Sequence, residues 1–203
     1  MPGGIGLFIE GTIIGLMIGK IRGGKFLNLG QLSIRAWPMI ILAFLIQIIP
    51  AFSKQIIWLE KINPYVFLIS FAMLALCLLM NTNKKGMKLI LFGVLLNLLV
   101  IMFNNYQMPI SFESLDLAGM SPMVESINNG TVTNYTSLDT VSNWTKYFSK
   151  YIVIPEPYPL SKVLSVGDIL ATLGLIIFIQ GEMLRNRYNF RNRMIKFDYR
   201  GKI

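Results

Sequence analysis

Apolar side chains gather in five runs, at about 3–19, 37–52, 64–80, 87–103 and 163–181, separated by short basic stretches and by one long polar segment. Each run is apolar around the whole helical circumference, and each approaches the roughly 20 residues that cross a bilayer as a helix. A membrane β-barrel would show segments of alternating polarity instead. The pattern predicts an all-α integral membrane protein, a single domain over 1–203 built as a bundle of five transmembrane helices. The first run lacks a basic start and a small-residue cleavage site and holds Glu10, so it reads as a retained helix.

The segment 104–162 is the only connection long enough to be more than a link. Its middle, from Asn128 to Asn143, is rich in Asn, Ser and Thr and is expected to be irregular. Ser121-Pro122 reads as an N-cap with proline opening a short helix. Trp144, Tyr147, Phe148 and Tyr151 recur at helical spacing, as on an interfacial helix, and Pro155, Pro157 and Pro159 impose an extended approach to the last run. The sequons at Asn129, Asn134 and Asn143 read as chance matches in a Lys-, Ile- and Asn-rich bacterial composition.

Charge orients the bundle. Fourteen of the nineteen basic residues fall between runs one and two, between runs three and four with Lys88 at the very start of run four, or after run five. The opposite side holds Lys54, Lys61, Lys146, Lys150 and Lys162 among six acids. The positive-inside rule then places the N-terminus and the 104–162 loop outside, and the tail 182–203 in the cytoplasm, for a multi-pass protein of the bacterial cytoplasmic membrane. The net charge of +9 reflects that tail. Its Arg185, Arg187, Arg191, Arg193 and Lys196 read as contacts to anionic lipid headgroups rather than to nucleic acid.

The chain has no histidine and one cysteine, Cys77, which removes His-based catalysis, intramolecular disulfides and thiolate clusters and leaves no metal or cofactor expected. What remains is a layer of polar residues inside the apolar runs. At 1.5 Å per residue from the outer ends, Glu10, Gln47, Ser70, Asn97 and Asp168 all lie about 8–10 Å deep. Asn104 and Asn105 sit just above them. With no base inside the runs except Lys88 at the first turn of the fourth, far in sequence from the polar layer, the two acids are expected to face the interior together, with at least one protonated or sharing a proton. Gly11, Gly15 and Gly19, with Gly167 and Gly174, form small-residue seams that would pack the first and last helices together.

The segments Ile21-Arg22-Gly23-Gly24 and Leu27-Asn28-Leu29, Gln47, the stretch Asn104-Asn105-Tyr106-Gln107-Met108-Pro109-Ile110, and Ser165-Val166-Gly167-Asp168-Ile169-Leu170 stand out along the chain. Together they resemble a family of membrane proteins from low-GC Gram-positive bacteria known only as a domain of unknown function. The family usually carries Gly-Arg where this chain has Tyr106-Gln107. The Asp168 segment is also weakly similar to lipoprotein signal peptidase, which implies an aspartate that activates water; only Asp168 matches by position. The expected function is a non-catalytic binding or accessory subunit with an outward-facing polar pocket, with a membrane-protein partner or a second copy as its company. An aspartyl hydrolase using Asp168 and a proton- or cation-coupled carrier using Glu10 and Asp168 are the alternatives.

Overall fold

The computed structural model describes residues 4–52, 57–141 and 144–185, with side chains from residue 6 to 46 and from 65 onward within those ranges. The long helices are α1 (Gly4–Ile21), α3 (Trp37–Phe52), α4 (Ile57–Leu79), α5 (Met87–Phe103) and α8 (Val166–Met183). A one-turn α2 (Leu27–Gly30) follows α1. By length and composition α8 is apolar enough to cross a membrane, while Trp37–Ile46, Tyr65–Leu79 and Met87–Phe103 are shorter apolar stretches among the described residues.

α8 is the central helix. α1 lies on one side of it and α5 on the other; α4 packs on α5, and α3 on α4. Glycine permits both central contacts. A Cβ added to Gly11 would stand 2.6 Å from the Thr172 methyl, one on Gly15 3.2 Å from Ile179, and one on Gly19 would meet Met183. On the opposite face, Gly93 of α5 rests against the backbone of Gly167 and Ala171, and Gly174 of α8 against the backbone of Ile90 and Gly86. Backbones this close gain dispersion contacts that any side chain would prevent. Below the seam, Ala75, Leu78, Ile90, Val94, Phe178 and Met183 belong to the main buried cluster.

The segment between α5 and α8 is ordered as a small α/β cap, which corrects the expectation of an all-α chain with an irregular loop. Strand β1 (Met108–Ile110) pairs in parallel with β2 (Tyr135–Ser137), and β3 (Ile152–Ile154) pairs antiparallel with β4 (Lys162–Leu164). Between β1 and β2 run α6 (Phe112–Leu117), capped by the Ser111 hydroxyl, and α7 (Ser121–Asn128). Pro122 does open α7, but Ser121 is already helical and caps nothing. The stripe from Trp144 forms a 3-10 helix, Trp144–Phe148, rather than a longer α-helix. The prolines fall in the turn between β3 and β4, where the Glu156–Pro157 bond is cis. Ile110, Leu115, Ala118 and Val163 give the cap its own core.

The last run begins later than its composition indicates, because 162–164 are strand and the helix runs to Met183. Its far end is closed by the loop after α1. There the Asn28 amide donates to the carbonyls of Met183 (2.7 Å) and Arg185 (3.0 Å), and the Lys25 N–H donates to Met183. Gly24 lies too near Met183 and the Gly19 carbonyl to carry a side chain.

Gly93→Val should therefore destabilise the protein by about 3 kcal/mol, or about 6–12 °C in thermal unfolding, because the obstacle is backbone that cannot repack. Ile13→Val on an exposed face should change the midpoint little; equal effects would mean that the α5–α8 approach is not tight.

Candidate functional site

The first turn of α8 is built around a capping box. The Ser165 hydroxyl accepts from the Asp168 N–H (3.0 Å), and the Asp168 carboxylate accepts from the Ser165 N–H (3.1 Å). Such a box satisfies backbone donors that a helix start leaves open, and the helix dipole favours a carboxylate there. Here the box is also the centre of a wider network. Asn97 of α5 donates its amide to Asp168 Oδ1 at 2.9 Å and accepts from the Ser165 hydroxyl at 2.8 Å. Lys150 of the cap donates to Asp168 Oδ2 at 2.5 Å. All four residues are buried.

Lys150 is placed by the stretch that heads the cap. Its N–H donates to the Pro109 carbonyl (3.0 Å), and its own carbonyl accepts from the Ser111 N–H (2.9 Å), so β1 grips it on both sides. Burial pushes the Lys150 ammonium down, but the facing Asp168 and Tyr135 outweigh it and hold the pKa above the ordinary lysine value. A raised lysine contributes its stability in full below the unfolded value near about 10.4 and loses it only as pH climbs through the folded one. The lysine is thus charged throughout the neutral range. Burial also raises the Tyr135 phenol, which Lys150 lowers and Asp168 raises again, so Tyr135 stays neutral there.

The second acid is met in the same way. Lys162 of β4, only 1% exposed, donates to Glu10 Oε1 at 2.5 Å, and the Tyr158 hydroxyl donates to the same oxygen at 3.0 Å. Each carboxylate therefore has a lysine of its own. That corrects the expectation of a proton-sharing Glu10–Asp168 pair, which assumed no base within reach: both lysines belong to the segment between α5 and α8.

The rest of the polar layer separates. Asn104 donates to the Val100 carbonyl (2.6 Å) and to the Thr145 hydroxyl (2.9 Å), tying the end of α5 to the 3-10 helix. Asn105 is exposed in the left-handed region at φ 51°, and Ser70 donates to the Phe67 carbonyl of its own helix. The side chain of Gln47 lies outside the described residues, as do Asn143, Arg187, Arg191, Arg193 and Lys196. Arg185 is exposed and stands 3.5 Å from Glu182.

Sequence reasoning misses three residues. Lys150 and Lys162 read there only as charges of the long loop, although two acids without partners among apolar runs call for cations and that side of the chain offers five lysines. Glu182 reads as part of the tail; it is helical and buried, 3.7 Å from Lys84. No group of three or more ligands suited to a metal stands among the described residues.

A glycine-seamed helical bundle closed at one end by a small α/β cap, with lysine–carboxylate pairs buried at the join, is the class that the fold and site define. Residues 31–180 match a family of unknown function, DUF5317, and the chain belongs to that family. It is also similar to a protein of Thermotoga maritima described as "Uncharacterized protein", 28% identical over 174 residues that cover 86% of this chain and 88% of that one. No solved structure matches.

Asp168→Asn, or Lys150→Met, should each destabilise the protein by about 3–5 kcal/mol, since either leaves one side of a buried pair uncompensated. The double variant should recover at least half of that loss in a thermal or chemical unfolding cycle. Additive losses would mean that the two groups are not coupled.

Proposed function

We propose that this chain is a five-span protein of the bacterial cytoplasmic membrane, N-terminus outside and C-terminus cytoplasmic, that serves as a non-catalytic binding or accessory subunit through its extracytoplasmic cap. The spans are α1, α3, α4, α5 and α8.

What carries the reading is an inverted distribution of side chains. Along α1, Ile9, Ile13 and Met17 are 51%, 51% and 60% exposed at spacings of four, while Gly11, Gly15 and Gly19 face inward. Trp37, Ile41 and Leu45 repeat the spacing on α3, Phe92, Leu99 and Phe103 look outward on α5, and Leu173 and Ile177 do so on α8. Meanwhile Asn97, Asp168 and Thr172 are buried. In water, apolar surface on this scale drives association, whereas hydrocarbon solvates it and leaves polar groups to satisfy one another inside. Trp144, Tyr147 and Tyr158 are exposed on the cap, where a headgroup region would take them.

Asp168 supports the non-catalytic half of the reading. An aspartyl hydrolase would need a second carboxylate against it, and a carrier would need an acid free to change partners. Asp168 instead accepts from a lysine, an asparagine and a backbone N–H. Of the polar residues expected to line a pocket, Glu10, Asn97, Asn104 and Asp168 are spent on joining cap to bundle or on holding that joint, which leaves the outer face of the cap as the binding element.

In a Cys77→Ser background, a cysteine at the exposed Glu125 of α7 should react with an impermeant thiol reagent on intact cells, and one at the exposed Asn83 between α4 and α5 should react only after lysis. The opposite pattern would invert the orientation, and release of the protein from membranes by alkaline carbonate would remove the membrane assignment.

A further inference from the structure

α1 carries more than an apolar face. Two grooves run along it: one of about 280 Å³ is lined by Phe8, Ile9, Thr12, Ile13 and by Phe44 of α3. The other, of about 400 Å³, is lined by Ile13, Leu16, Met17, Lys20, Ile21 and Phe26. Ile13 belongs to both, so they follow one another along the helix. From Phe8 to Lys20 is about 18 Å at 1.5 Å per residue, close to the roughly 15 Å depth of one hydrocarbon leaflet. The walls are apolar except at one end, where the Lys20 ammonium stands 5.4 Å from the centroid of the Phe26 ring. Lys20 is exposed and has no carboxylate partner among the described residues. The basic side of the chain, with Arg22 and Lys25 close by in sequence, lies at this end.

We propose that this groove is a binding site for one anionic phospholipid of the cytoplasmic leaflet, an acyl chain lying along α1 past Ile13 and the phosphate held at Lys20. The inference rests on the membrane reading above and adds to it a defined site on the bundle, distinct from the basic tail. The occupant follows from the shape and the charge together. A slot one leaflet long fits a chain that enters from the interface, and a single ammonium at its mouth selects a headgroup of net negative charge over a zwitterionic one. A partner helix would need an apolar face throughout and would leave Lys20 against it without an acceptor.

The test is native mass spectrometry of the full chain in detergent, with phosphatidylglycerol and phosphatidylcholine of equal chain length added in equal amounts. One phosphatidylglycerol should be retained preferentially. Lys20→Gln should reduce that preference about fivefold, the effect of one basic residue near an anionic surface. Ile13→Trp, which fills the shared part of the groove from an exposed position, should weaken retention of both lipids. Lys88→Gln, at an exposed lysine of α5 on the same basic side, should change neither. Equal retention of the two lipids, or an equal loss of preference in Lys88→Gln, would overturn the site and leave the membrane reading standing. A chain that stays soluble and monodisperse without detergent would instead overturn the membrane reading and the site with it.

Discussion

A carboxylate buried among apolar helices has to be met by opposite charge or by enough donors, and Asp168 is met by both. Lys150 supplies the charge, while Asn97 and the Ser165 N–H supply further donors. Much of the upper half of the molecule is arranged to make this possible. β1 exists as a short strand whose edge fixes the backbone of Lys150, and Asn97 is brought within reach because Gly93 and Gly167 let α5 and α8 touch. Asn97 is itself in contact with Gly167, so a side chain at that glycine would displace the amide that bonds Asp168. Packing and electrostatics at this seam are one arrangement rather than two.

The same view accounts for the segments on which the family resemblance rests. Asn104 to Ile110 makes the turn from α5 into β1 and ends at the strand that grips Lys150. Tyr106 has a φ of +63°, a conformation that glycine takes freely and tyrosine only with support. That support includes the ring of Tyr65, 5.0 Å away. Gln107 donates to the Thr133 carbonyl and so fastens β1 to the approach to β2. The segment around Gly24 and Asn28 closes the opposite end of α8. Separate motifs thus converge on the two ends of one helix.

The helices themselves were legible because an apolar run needs only its own composition to declare itself. Runs 37–52 and 87–103 coincide with α3 and α5, and the glycine spacing on α1 points at the face that meets α8. What could not be read was partnership over distance. Nothing local distinguishes Lys150 or Lys162 from a solvated lysine; their burial follows from the cap folding back over the bundle. The Glu10–Asp168 pair follows from counting only the charges inside the apolar runs, and it fails because Lys150 and Lys162 lie outside those runs in sequence. Short strands of three residues carry too little periodicity to be found in a polar loop. Glu182 was lost for a simpler reason: the helix outruns its apolar composition, and an acid at its end reads as tail.

The two ion pairs differ in setting, and that difference bears on what they do. Desolvation of a buried pair offsets much of its attraction, so neither is a large net source of stability; each instead penalises arrangements that would leave a charge alone. The Lys150–Asp168 pair is closed in by α5 and β1 and bonded on both carboxylate oxygens, which makes it a register device for the head of α8. The Glu10–Lys162 pair stands beside the exposed Tyr158, whose phenol is raised chiefly by its hydrogen bond to Glu10. Lys162 is three residues before Ser165, so this pair holds α1 to the strand that feeds α8, above the glycine ridge that joins the same two helices along their length.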